Sequence, residues 1–153
     1  MGKARTDRQM IVIRSNAELP DATTKESLTR FLHESLKPYE DDPEDIHRAM
    51  TLVLDSPPDQ GGFVVLARDG STSLGAAVVH YTPWSGYVPA NLLLFVAVAP
   101  NHRRRGLGRA LIERAIEECE GDMKLHVEHD NPAKRLYERL GFTSKYAEMR
   151  YSR

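Results

Sequence analysis

The sequence predicts an α/β fold, a mixed β-sheet flanked by helices on both faces. Three observations carry that prediction. Apolar, β-branched stretches alternate with stretches of helical spacing along the chain. Leu92–Ala99 is apolar at every position, the pattern of a strand covered on both sides. No internal repeat or low-complexity tract breaks the order.

Ile11–Arg14 reads as a short first strand. Ala22–Leu36 carries Leu28, Phe31, Leu32 and Leu36 at helical spacing, and Pro38 stops it. Pro43–Leu54 repeats that spacing with Ile46, Met50, Val53 and Leu54. Pro57-Pro58 and Gly61-Gly62 mark a loop. Phe63–Ala67 and Leu74–Tyr81 form a hairpin about Asp69-Gly70. Pro83–Pro89 is a loop holding Trp84 and Tyr87, and Leu92–Ala99 is the central fourth strand. Gly106–Glu120 is a helix, Lys124–Glu128 a strand, and Pro132–Leu140 a helix that Gly141 can end in a left-handed cap. Phe142–Tyr151 is the last expected strand.

The chain has 153 residues, 41% hydrophobic and 28% charged, which suits one soluble domain spanning 1–153. A net charge of -1 lacks the basic footprint of a nucleic-acid binder. Cys119 stands alone, so no intramolecular disulfide forms, and a reducing cytoplasm is the expected compartment. The charged start lacks a signal-peptide core, and no apolar run reaches membrane length. Met1–Thr6 matches the form of a myristoylation pattern, which short sequences often match by chance.

The most informative stretch runs from Val96 to Arg109. Pro100 ends the central strand, and Arg103, Arg104, Arg105 and Arg109 surround Gly106 and Gly108 at the start of a helix. The helix carries Glu117, Glu118 and Glu120 at its end, so both ends oppose the macrodipole. Local rules broken together mark a functional site. An anion at the turn would resolve the N-terminal half, held by free backbone N–H groups and the arginines. No Gly-Lys-Ser/Thr follows, so this is not a P-loop, and Leu111 occupies the third glycine position of a dinucleotide fingerprint. A solvated basic turn before an amphipathic helix would share the same core stripe of Leu107, Leu111, Ala115 and Ile116.

Arg103-x-x-Gly106-x-Gly108 resembles the pyrophosphate-binding signature of the GNAT (GCN5-related) N-acetyltransferases. A second segment, Asn131-Pro-Ala-Lys-Arg-Leu-Tyr137-Glu-Arg-Leu-Gly-Phe142, resembles that family's later motif. The resemblance implies a single-domain GNAT-like mixed sheet, with its cofactor and catalytic half at about 92–142, and acetyl-CoA as cosubstrate without a metal. Val96, Ala97 and Val98 would pair with the pantetheine arm, and Arg103, Arg104, Arg105, Gly106, Leu107, Gly108 and Arg109 would cradle the pyrophosphate. Tyr137 would be the general acid for the departing thiolate. Its phenol titrates near 10, close to a thiol; a core tyrosine beside Leu136 is the plainer reading. Asn131 would contact cofactor, yet it lies one residue nearer the tyrosine than the family pattern, and Asp130 occupies the family's place.

A protonated amine also needs a base. On Lys124–Glu128, alternation would put His126 and Glu128 on one face and His129 on the other, which disfavours a metal site. By the resemblance, His126 falls where some relatives carry a catalytic glutamate, and an imidazole suits the task. Glu128 and His80 are further candidates. The acidic run Glu40–Asp45 either focuses a cationic amine or simply starts a helix, with Asp42 as cap and Pro43 in the first turn. Tyr81, Trp84 and Tyr87 either line an acceptor pocket or cover a sheet edge. Cys119 reads as packing.

The expected activity is acetyl transfer to a primary amine by direct attack in a ternary complex. The acceptor is a small molecule or a peptide or protein. The alternative is a non-catalytic acyl-CoA sensor of the same fold, and a purely structural domain is a third class. A homodimer is common among similar proteins.

Overall fold

The computed structural model describes residues 8–153; the Met1–Thr6 pattern lies outside them. Five strands form one sheet in the order β1-β2-β3-β4-β5. They are β1 (Arg8–Ile13), β2 (Gly62–Asp69), β3 (Thr72–Tyr81), β4 (Asn91–Val98) and β5 (Met123–Leu125). Neighbours from β1 to β4 are antiparallel. β5 joins β4 in parallel, through the crossover helix α3 (Leu107–Glu118). α1 (Lys25–Leu36), α2 (Pro43–Asp55) and α4 (Ala133–Arg139) complete the helices of the mixed sheet.

The sheet has a core on each face, because successive strand residues point to opposite sides. Val64, Leu66, Ala76 and Val78 meet Leu28 and Leu32 of α1 and Ile46, Met50 and Val53 of α2. Phe63, Val65, Ala77 and Val79 meet Leu111, Ile112 and Ala115 of α3. α3 lies tight on the sheet: a side chain at Gly75 would come within 2.8 Å of Leu111 Cδ1. Ile112, not Ile116, completes the α3 stripe; Ile116 is exposed.

Helix ends follow local chemistry. α1 starts three residues later than the spacing predicts, because Thr24 and Ser27 form a reciprocal capping box. Asp42 Oδ1 accepts from the Glu44 N–H at 2.9 Å, and Pro43 opens α2. α4 ends in a Schellman motif: the Gly141 N–H bonds to Glu138 O, and the Phe142 N–H to Tyr137 O. Gly141 supplies the positive φ (100°) that this cap needs.

Two strand expectations need correction. Lys124–Glu128 is not a strand throughout; pairing stops at Leu125, where β4 bends away. Phe142–Tyr151 is not a strand, and residues 143–153 are exposed. A strand needs a partner edge, and the edge on the β5 side is three residues long. The segment's apolar residues do not alternate either, since Tyr146 and Ala147 are adjacent. Among the described residues, no helix is long and apolar enough to cross a membrane.

Candidate active site

The site begins with an irregularity in β4. Its pairing with β3 steps from Val78↔Phe95 to Val79↔Leu93, so Leu94 is an extra residue. Leu94 and Phe95 therefore both pack toward α1 and α2, while Leu93 and Val96 face α3. Such a bulge bends its strand. β5 pairs only with Asn91, Leu92 and Leu93. Beyond that point β4 and β5 part, and the outer edge of β4, including Val96, Ala97 and Val98, has no strand beside it. Backbone groups on that edge require other partners, and an extended ligand bearing amides can supply them. Buried Asn91 fixes the hinge of the fork: its Nδ2 donates to Glu120 O (2.6 Å) and Asp122 O (3.0 Å). Nothing in the sequence pattern singled out Asn91.

The arginine–glycine turn lies at the far end of β4. Arg104 (φ 63°) and Gly106 (φ 78°) both take positive φ, and Gly106 is the N-cap of α3. Ala110 is the first residue of α3 to bond back, to Gly106 O. Among the described residues, the N–H groups of Gly106 through Arg109 meet no backbone carbonyl. No acidic side chain occupies the first turn of α3. A helix N-terminus with free donors is an anion site in waiting. A side chain at Gly106 would meet nothing within 4 Å, so the glycine is there for its φ and leaves open space.

The four arginines differ in what they do. Arg109 Nε bonds Glu113 Oε1 one turn along α3, at 2.8 Å. Arg103 turns inward, with Nε to Val98 O (3.3 Å) and one terminal nitrogen to Ser35 O (2.7 Å). Arg104 and Arg105 are exposed, and among the described residues neither has an acidic partner within ion-pair distance. They are the cations left for a ligand.

Tyr137 sits on α4 within the α3-side core, with Phe142 edge-on at 5.9 Å between ring centroids. The Schellman cap makes that contact, since it folds Phe142 back over Tyr137. Burial raises the phenol pKa above its usual 10, so the group holds its proton at neutral pH. Asn131 Oδ1 accepts from the Ala133 N–H at 2.9 Å, which caps the turn into α4. Asp130 contributes its carbonyl, which accepts from Tyr39 Oη at 3.1 Å. Tyr39, in the connection between α1 and α2, carried no sequence signal; only the fold brings it to Asp130.

His126 and Glu128 are both exposed and lie past the end of β5. Val127 between them is half-buried. His80 Nδ1 is bonded to Gly61 O (2.7 Å). Tyr81 accepts from Arg14 and tilts against Phe63, whereas Trp84 and Tyr87 are exposed. In the acidic run, Asp42 caps α2 and Glu44 and Asp45 stand in its first turn. Glu40 differs: its Oε2 is buried with no hydrogen-bond partner. Among the described residues, no group of three or more metal-ligating side chains forms.

Free N–H groups beside two unpaired arginines suit a pyrophosphate, and an unpaired strand edge suits an amide-bearing arm; together they fit coenzyme A. Comparison with known proteins bears on the family and the fold. A streptothricin acetyltransferase from Streptomyces lavendulae is 35% identical over 89 residues, covering 55% of this chain and 45% of that protein. The match thus spans less than half of that relative. A GCN5-related N-acetyltransferase from Ralstonia eutropha JMP134 superposes with TM-score 0.69 at 18% identity, covering 95% of this chain and 98% of that one. An aminoglycoside N-acetyltransferase, AAC(6')-Iy, solved in complex with CoA, superposes with TM-score 0.66 at 17% identity and 95% coverage of both chains. At such identities these structures speak for the fold alone. The model of the acetyltransferase (GNAT) family matches residues 24–142, most of the chain, and the protein belongs to that family.

Proposed function

We propose that the protein is an acetyl-CoA-dependent N-acetyltransferase, acting as one domain on a primary amine in a ternary complex. One observation carries the reading: among the described residues, the N–H groups at the start of α3 have no backbone acceptor and stand beside Arg104 and Arg105, which have no acidic partner, at the end of a half-unpaired strand. The backbone of Arg104–Arg109 holds the pyrophosphate, and the strand-free edge of Val96–Val98, with the Val98 carbonyl taken by Arg103, aligns the pantetheine arm. The cosubstrate supplies a thioester carbonyl; the amine attacks it, a C–N bond forms and the C–S bond breaks.

Tyr137 Oη gives its proton to the departing sulfur. The raised pKa keeps that proton in place until thiolate charge develops. Each unit by which the phenol exceeds the thiol costs about 1.36 kcal/mol in the transfer. Water re-protonates the tyrosine between turnovers. His126, exposed near the fork, takes the proton from the amine through water.

The acceptor is a cationic amine. Within the acidic run, helix capping leaves Glu40 and Asp41 unexplained, and Glu40 Oε2 is buried without a partner among the described residues, which is costly without a donor. An ammonium group supplies one. The streptothricin and aminoglycoside acetyltransferases carry names of polycationic antibiotics, which fits this acceptor class. A lone, reduced Cys119 fits a cytoplasmic setting.

The test is acetyl-CoA-dependent thiol release with mass detection, across aminoglycosides, streptothricin, polyamines, amino acids and peptides. Acetylated product with any of them establishes transfer and names the class. Tight CoA binding with no product from any amine would instead support an acyl-CoA sensor. A melting temperature unmoved by acetyl-CoA would remove the cofactor site.

A further inference from the structure

We infer that Arg103 is a positioning residue that locks the acceptor wall to the cofactor strand, and not a ligand of the pyrophosphate. Two nitrogens of its guanidinium are held by backbone carbonyls of β4 and α1. Nε donates to Val98 O, the last carbonyl of β4, at 3.3 Å. A terminal nitrogen donates to Ser35 O at 2.7 Å in a half-buried contact.

Ser35 is itself buried and lies in the last turn of α1. The final carbonyls of a helix lack intrahelical donors and form its negative end, so a cation there is doubly favourable. Arg103 thus caps α1 from the β4–α3 turn. Four residues on, Tyr39 Oη donates to Asp130 O at 3.1 Å, in the loop that leads from β5 into α4. The end of α1 is therefore tied to the β4 side of the fork, and Tyr39, in the connection that follows, to the β5 side. It spans the opening, and Glu40 follows directly after Tyr39. Lysine could meet one of the two carbonyls from a point charge, but it lacks the planar fork that reaches both.

This inference rests on the proposed acetyl transfer only for its kinetic consequence. Arg103→Gln, Arg103→Lys and Arg104→Gln are compared in the full chain by CoA affinity, by amide hydrogen exchange at Tyr39–Asp42, and by KM for whichever amine is accepted. Arg103→Gln is expected to speed exchange in that segment about tenfold, as loss of a charged hydrogen bond implies. It raises the acceptor KM and leaves the Kd for CoA within about threefold. Arg104→Gln is expected to do the reverse, with CoA affinity lowered about tenfold and exchange unchanged. Arg103→Lys falls between wild type and Arg103→Gln in exchange, and carries the comparison if Arg103→Gln does not fold. Unchanged exchange in the Arg103 variants overturns the brace, whatever happens to CoA binding. Exchange and CoA affinity are read without turnover, so failure of every amine to react sinks the transfer reading and leaves this one standing or falling on its own data.

Discussion

The two ends of α3 break the same rule and resolve it differently. Both carry charge of the wrong sign for the helix dipole. At the C-terminal end the conflict is settled within the chain. Glu118 is bonded to Arg14 of the β1 end at 2.7 Å and to Arg114 at 2.9 Å. Arg14 also donates to Tyr81 Oη and lies over the Phe63 ring, 5.1 Å from its centroid. At the N-terminal end the one pairing is Arg109 with Glu113 a turn further along; among the described residues no acidic side chain stands in the first turn, and Arg104 and Arg105 have no acidic partner. One end is a structural joint, and the other is complete only with an anion. The difference lies in which partners the fold brings, since the charge pattern alone is equally unfavourable at both.

The sharpest way to break this comparison is to reverse the charge at the open end. Arg104→Glu combined with Arg105→Glu is expected to weaken CoA binding about a thousandfold, the worth of two lost charge-assisted bonds. The same change puts acids at the positive end of α3, so the free protein should become slightly more stable, by about 0.5 kcal/mol. Calorimetric titration with CoA and thermal unfolding read the two effects. A destabilised double variant would mean that these arginines serve the fold.

Next in size is the chemistry beyond the anion site. Tyr137→Phe keeps the ring against Phe142 and removes only the hydroxyl. It should lower kcat about a hundredfold, the usual worth of a general acid, with CoA affinity unchanged. A variant as fast as wild type would reduce Tyr137 to core packing.

Much of this contrast was legible in the sequence, and the reasons are physical. The arginines, the glycines and the misplaced glutamates of α3 are local facts, and so is the cap that Gly141 and Phe142 give α4. α2 was readable to within one residue because Pro43 and Asp42 act on their own neighbours. The fork was not. Leu92–Ala99 is apolar throughout, so no alternation was available to betray the slip at Leu94. The strand expected through Glu128 accordingly stops at Leu125, where the fork opens. Asn91, Tyr39 and the Arg14–Glu118 joint all join residues far apart in sequence, which no window of neighbouring residues can reveal.

At the closed end, Arg14→Ala removes a half-exposed ion pair, a hydrogen bond to Tyr81 and the contact with Phe63. Each is modest, and together they should cost about 1–2 kcal/mol. Denaturant unfolding measures the loss, while CoA affinity should not change. An Arg14 variant that loses CoA binding at full stability would show that the two ends of α3 are coupled, and the contrast drawn above would fail.

The smallest effect tests the same joint through its cysteine. Cys119 is the C-cap of α3, and its thiol pKa is raised from 9.0 to about 11, first by burial and then by Glu118, against the lowering pull of Arg14. A pKa raised on folding means that the protonated form is favoured in the folded state. Its contribution to stability is whole below pH 9 and is lost as pH climbs through about 11. Because the residue is only half-buried, solvent screening holds that contribution to about 1 kcal/mol. Alkylation by iodoacetamide should therefore be slow at pH 9 and rise toward pH 11. In Arg14→Ala the thiolate loses its one nearby cation, so the rise should move to still higher pH. A thiol that reacts at the ordinary pH, or one indifferent to Arg14, would mean that the closed end is looser than its ion pairs imply, and that the two ends of α3 differ less than the bond pattern suggests.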